Sequence, residues 1–259
     1  MRRAPIRRGP HLAQDRDILS ARSAFVRAKK LVAQYGARLR KIARHIGDIT
    51  AGFDVETPEG QSLLQTHLRR YAEVLRPWAE HAADRMVAEV AQSDRNSWRR
   101  FSADIGRALH KEIDTAPTGA AMRAIKAEQV DLITSLPREA AERVHRITTE
   151  GIARGTRASE VAAEIMRGGE VAKSRANLIA RTEVGRTSTA LTQARAEHIG
   201  STGYIWRTSK DGDVRASHRR MEGRFVAWAD PPELDGLKGH AGALPNCRCF
   251  CEPVLPNVD

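Results

Sequence analysis

The sequence predicts a mainly α-helical chain ending in a small α+β module: long N-terminal helices, then a long helix packed on a short antiparallel sheet. Three observations lead there. Aromatic residues make up only 5% of the 259 residues while Ala and Arg are abundant, a composition suited to helices rather than to a β-sandwich. Apolar residues recur at helical spacing along most of the chain before Gly203, and runs with strand chemistry come only after it. The length suffices for one large or two modest domains. The expected division is a basic flexible arm over 1–14, a helical domain over 15–150 and a C-terminal module over 151–256.

Residues 1–14, with Pro5, Gly9 and Pro10 among four Arg, carry no periodicity and read as an arm. Ile18, Phe25, Val32, Leu39 and Ile46 then recur every seven residues, with Ala21, Ala28, Tyr35 and Ile42 three positions further on. That is a heptad seam, which needs a later helix of the same chain or a second copy to cover it. Gly47 to Pro58 is expected as a connection, with Thr57 capping the next helix and Pro58 in its first turn. Leu64, Leu68, Tyr71, Leu75, Trp78, Ala82 and Met86 continue that helix to about Ala91, with a kink expected at Pro77. Ser93 or Asp94 is expected to cap a third helix with Trp98, Phe101, Ile105 and Leu109 on one face, a core stripe rather than a base-stacking platform.

Pro117 and Thr118 open a fourth helix, which Ser135-Leu136-Pro137 is expected to break before another through Val144 and Ile147. Ser159 is expected to cap Val161–Met166 and Gly168-Gly169 to end that helix. A long helix from about Val171 to His198 stops at Gly200 and Gly203. The expected strands are Tyr204–Thr208, Arg224–Trp228 and Cys249–Val254, with a turn at Lys210-Asp211-Gly212 and a loop from Ala229 to Leu244.

The formal net charge of +11 is concentrated. Met1 to Ile46 holds 13 Lys and Arg against Asp15 and Asp17, and the rest of the chain carries 30 of each sign. Such a tract attracts phosphate polyanions or an acidic protein face; the alternative is a solvated helix face. No run approaches the roughly 18 apolar residues of a membrane span, and no signal-peptide core opens the chain, so a soluble, intracellular protein with no membrane partner is expected. Three Cys within five residues do not make a secreted disulfide framework and point to a reducing compartment. Neither G-x-x-x-x-G-K-[ST] nor G-x-G-x-x-G occurs, so no nucleotide cofactor is expected.

The last quarter is the most specific part. Arg181-Thr182-Glu183 on a helix is followed by the aromatic run Tyr204–Thr208. Then come Asp211-x-x-x-Arg215-x-x-His218, a turn at Gly223, and Pro245-Asn246-Cys247-Arg248-Cys249. This order resembles the C-terminal domain of the phage Mu F type of minor head proteins, over about residues 150–256. The resemblance implies a minor capsid protein acting in head morphogenesis, present in few copies, made in host cytoplasm and held in the virion near the portal vertex. The portal protein, capsid or scaffold proteins and packaged double-stranded DNA are the partners it implies, and self-association through the seam is possible. Arg2, Arg3, Arg7, Arg8, Arg22, Arg27, Lys29, Lys30, Arg38, Arg40, Lys41 and Arg44 are then the candidate DNA or portal contacts.

Cys247, Cys249 and Cys251 alternate along an expected strand, and His218 or His240 could join Cys247 and Cys249 around a structural zinc. The reading taken is core thiols with no cofactor. Arg181, Glu183, Arg215, His218 and Arg248 are expected to form a structural ion-pair network pinning helix to hairpin rather than a catalytic centre. The alternatives are an enzyme, namely a metal-dependent nuclease or toxin-like transferase using the C-terminal module, and a DNA-binding protein that carries the module.

Overall fold

A computed structural model of the chain describes residues 17–102 and 116–255, with side chains described over 28–99 and 116–255. The expected arm and the positions of Ile105 and Leu109 lie outside the described residues. The helices are α1 (Asp17–Ala51), α2 (Pro58–Val74), α3 (Arg76–Ser102), α4 (Thr118–Arg154), α5 (Ala158–Met166), α6 (Gly168–His198) and a short α7 (Ala216–Arg219). The strands are β1 (Gly203–Thr208), β2 (Phe225–Ala227), β3 (Glu233–Leu234), β4 (Leu237–Lys238) and β5 (Cys249–Pro253). The chain is therefore mainly α with a small antiparallel sheet near its C-terminal end, the class the sequence predicts.

Residue contacts group the chain into two compact units, each assembled from separate segments. A helical unit comprises Lys30–Glu89 and Arg123–Val184; a sheet-bearing unit comprises Met1–Lys29, Val90–Met122 and Gly185–Asp259. The segments 15–150 and 151–256 each contribute to both.

In the helical unit the seam of α1 is covered from within the chain: Tyr35, Leu39, Ile42 and Ile46 are buried, together with Leu64 and Leu68 of α2, Met86 of α3, Ile133 of α4 and Ile179 of α6. Helix α6 runs antiparallel against α1 at a contact made close by small residues. A Cβ on Gly169 would lie 3.2 Å from the Gly47 Cα, and one on Gly36 would lie 3.4 Å from the Ala180 Cβ. Between them Arg40 bonds Asn177 at 2.9 Å. Burying three polar side chains in this core requires that each find a partner. Tyr35 donates to Gln129 Oε1 at 3.0 Å, and Gln129 Nε2 donates to Glu183 at 2.7 Å.

Several helix boundaries differ from the expectation. Thr57 does cap α2, accepting from the Gly60 N–H, with Pro58 in the first turn. Pro77 does not kink that helix: α2 ends at Val74, and Pro77 falls in the first turn of α3, where its missing N–H costs nothing. Ser93 and Asp94 cap nothing, because α3 runs through them. Ser93 accepts from the Ser97 hydroxyl one turn on, and Asp94 points inward to Arg195. Pro137 lies inside α4 rather than ending it. In the turn before it Thr134 Oγ1 donates to the Val130 carbonyl, Ser135 Oγ to that of Leu132 and Arg138 to that of Asp131. Arg157, not Ser159, precedes α5. Gly168-Gly169 opens α6 instead of ending α5, and Gly169 is the one that lies against α1.

In the sheet-bearing unit the strand order is β2-β1-β5, all antiparallel, with Tyr204 opposite Val226, Trp206 opposite Cys251 and Thr208 opposite Cys249. Tyr204 and Trp206, two residues apart, share one face and are fully buried in a cluster with Trp98 of α3, Ala196 of α6, Val214, Val226, Trp228 and Leu244. Trp98 is thus a core residue, as its helical stripe predicts. Asp94 and Arg195 form an ion pair at 2.7 Å with side chains 3% and 2% exposed, and Thr192 donates to the other Asp94 oxygen at 2.9 Å. The expected loop from Ala229 to Leu244 contains the β3–β4 hairpin, turned by Asp235 (φ 54°) and Gly236 (φ 77°), the Asp-Gly pair that a type I′ turn favours.

Candidate functional site

In the sheet-bearing unit two separate sequence motifs meet residue by residue. Asp211-x-x-x-Arg215-x-x-His218 follows β1 and runs into α7, while Pro245–Cys249 forms the turn into β5. Arg248 donates to Asp211 at 2.7 Å and pairs with Asp213 at 2.7 Å. Arg215 donates to the Pro245 carbonyl and stands 3.6 Å from Asp235. His218 Nδ1 lies 3.4 Å from the Cys247 sulfur and 3.5 Å from that of Cys249. Each polar residue of the first motif thus has its counterpart in the second. Local structure sets this up: Asp211 Oδ1 accepts the Asp213 N–H, Lys210 and Asn246 take positive φ at the two turns, and α7 turns His218 inward to 1% exposure.

The sulfur of Cys247 also accepts backbone N–H groups from Gly242 and Cys249, both at 3.4 Å. A hydrogen bond from Cys249, followed by His218 and these backbone donors, outweighs burial and holds the Cys247 thiol well below its ordinary range. The shared bond and burial push Cys249 the other way. The Trp206 ring packs edge-on to His218, centroids 5.6 Å apart, walling the pair from solvent. Beyond His218, Asp235 of the hairpin stands 4.0 Å from Nε2 and accepts from the Ser217 hydroxyl at 2.7 Å. Burial raises Asp211, but the hydrogen bonds from Arg248 and Ser209 and the Arg248 charge bring its carboxyl below the usual range.

Arg181 and Glu183 belong to the helical unit, where Glu183 is 4% exposed beside Gln129; Arg215, His218 and Arg248 belong to the sheet-bearing unit. His240 lies by the Tyr204 hydroxyl at 3.3 Å, outside the His218 cluster. Cys251 bonds the Ala241 carbonyl at 3.4 Å instead of joining the other two thiols. Of the basic candidates, Arg2, Arg3, Arg7 and Arg8 lie outside the described residues, and Arg22 and Arg27 are on α1. Lys29, Lys30, Lys41 and Arg44 are exposed; Arg38 pairs with Glu89 at 2.7 Å and Arg40 with Asn177. Sequence reasoning missed Asp235 and Gly242. The Asp-Gly signal could have placed the first; only the three-dimensional approach of the loop singles out the second.

Residues 142–252 match the family model described as Phage Mu protein F like protein, which bears out the resemblance seen in the motifs. A protein of Haemophilus influenzae described as uncharacterized is 35% identical over 136 residues, 52% of this chain and 30% of the relative. Another of Methanocaldococcus jannaschii, also described as uncharacterized, is 35% identical over 109 residues, 42% of this chain and 16% of the relative. The chain thus spans less than a third of either relative's length. No solved structure matches the chain. Among the described residues no helix is long and apolar enough to cross a membrane.

Proposed function

We propose that this chain is a minor head protein of a tailed bacteriophage, acting in head morphogenesis, bound at the portal inside the capsid and touching packaged DNA through its basic N-terminal residues. The observation that carries the reading is the joining of the two motifs inside the matched residues 142–252. Their arginines are paired: Arg248 is shared by Asp211 and Asp213 of the first motif, and Arg215 is committed to the Pro245 carbonyl of the second and to Asp235 of the hairpin. An arrangement of this kind builds a rigid module for assembly, whereas hydrolysis needs a carboxylate or imidazole presented to substrate in a cleft. The surplus of basic residues before Gly47 supplies the long-range attraction that a polyanion or an acidic portal face would feel.

The test is to locate the chain in purified particles. Expected is a constituent present in few copies that cross-links to the portal through Lys29, Lys30 or Lys41. A chain absent from particles, or cross-linked only to the outer shell, would overturn the portal assignment.

A further inference from the structure

His218, Cys247 and Cys249 form a buried donor set that the assembly reading does not use, and the geometry points to a tetrahedral site for a zinc-class cation, held by His218 Nδ1 and the two thiolates. The three ligand atoms lie within 4.8 Å of one another and all three residues are buried. An ion with Zn–S of about 2.3 Å and Zn–N of about 2.0 Å at tetrahedral angles needs S···N edges of about 3.5 Å. Nδ1 stands 3.4 and 3.5 Å from the two sulfurs, so both nitrogen–sulfur edges already have the length of such a figure.

Three surrounding features fit coordination. The N–H groups of Gly242 and Cys249 point at the Cys247 sulfur, where they offset the charge of a bound thiolate. His218 Nε2 is buried without a hydrogen bond among the described residues, and the Asp235 carboxylate, itself held by Ser217, lies 4.0 Å away. A metal-bound imidazole characteristically donates its other N–H to a carboxylate, and Asp235 is placed for that role. Thirdly, Gly242 has φ +87°, and a Cβ there would meet Thr189 Oγ1 at 2.7 Å and the Cys249 carbonyl at 3.0 Å, so glycine is what lets this N–H reach the sulfur. Two thiols packed merely as apolar groups would gain nothing from an imidazole whose outer nitrogen lacks a bond.

Thiolate and imidazole donors favour zinc over magnesium or calcium. On binding, any thiol proton still held leaves to solvent and both sulfurs serve as anionic ligands. Among the described residues no fourth His, Cys or carboxylate joins the group. The ion would clasp α7, the Pro245–Cys247 turn and β5 together, a structural role independent of where the protein sits in a particle.

The test uses the full chain, purified under reducing conditions without chelator, for metal analysis and for cobalt(II) titration of the metal-stripped protein. About one metal per chain and a sulfur-to-cobalt charge-transfer band are expected. Cys251→Ser should keep the band, Cys247→Ser and Cys249→Ser should lose it, and Asp235→Asn should bind about 10–100-fold more weakly. Should the cysteine variants fail to fold, the wild-type titration decides alone. A reduced wild-type chain that neither retains metal nor develops the band overturns the site, as does a band that survives in Cys247→Ser or Cys249→Ser.

Discussion

Asp94 and Arg195 sit almost wholly out of water, 3% and 2% exposed, which makes each dependent on the other. Removing one partner of such a pair leaves a buried charge and costs about 3–5 kcal/mol, whereas an apolar pair of similar volume is often neutral. Asp94→Ala should therefore lower the denaturation midpoint sharply, and Asp94→Leu with Arg195→Met should recover most of the loss; equal losses in both would contradict the account. The buried relay Tyr35–Gln129–Glu183 makes a parallel claim on the helical unit. Glu183→Ala should strip an acceptor from Gln129 and cost about 1–3 kcal/mol, seen as faster amide exchange along α1, α4 and α6. Asp211 carries the acid response. Its carboxyl is lowered in the folded state, so its contribution is complete above the unfolded value near 3.9 and is lost as pH falls through the folded one. Melting temperatures of the wild type and Asp211→Asn should differ at pH 6 and draw together as pH falls below the ordinary carboxylate range; a constant gap would remove Asp211 from the explanation.

Helix α1 combines two roles that a truncation separates. Residues up to Arg27 carry seven of the basic side chains, of which Arg22 and Arg27 are on α1, against Asp15 and Asp17, while from Tyr35 to Ile46 α1 supplies core side chains. Removing residues 1–46 would take Tyr35, Leu39, Ile42 and Ile46 out of the core and should unfold the helical unit. Removing 1–16 should spare the helical unit and make the fall of log K with log salt on duplex DNA shallower, each phosphate contact contributing a slope of about −0.9; an unchanged slope would free the arm of that role. Elements were legible where periodicity and caps agree, as at Thr57-Pro58 and along the α1 seam. They were illegible where tertiary contacts override a local breaker. Pro137 lies inside α4 all the same, and Gly169 serves a helix contact that no local rule anticipates. The β3–β4 hairpin was hidden by its brevity, although its Asp-Gly turn was in plain sight.

At the scale of the whole molecule, residue types and spacing were enough to identify the matched region, because D-x-x-x-R-x-x-H and P-N-C-R-C are distinctive as strings. That Asp211 faces Arg248 and His218 faces Cys247 depends on β1 pairing with β5, a non-local fact. The division into units was equally hidden, since each draws on distant segments. Residues 142–259 alone would lack α1 to α3 and the Asp94 and Trp98 that complete the sheet-bearing core. That fragment should give poorly dispersed amide resonances, and a well-dispersed spectrum would show the core closing without α3. The interleaving also imposes an order on biosynthesis. The helical unit has its last segment once Val184 has been made, but the sheet-bearing unit awaits residues 185–259, roughly 4–15 s later at bacterial rates of about 5–20 residues per second. For that interval Trp98 and Asp94 would stand on the nascent chain without the strands and the arginine that cover them, which makes this stretch a natural client for a holding chaperone.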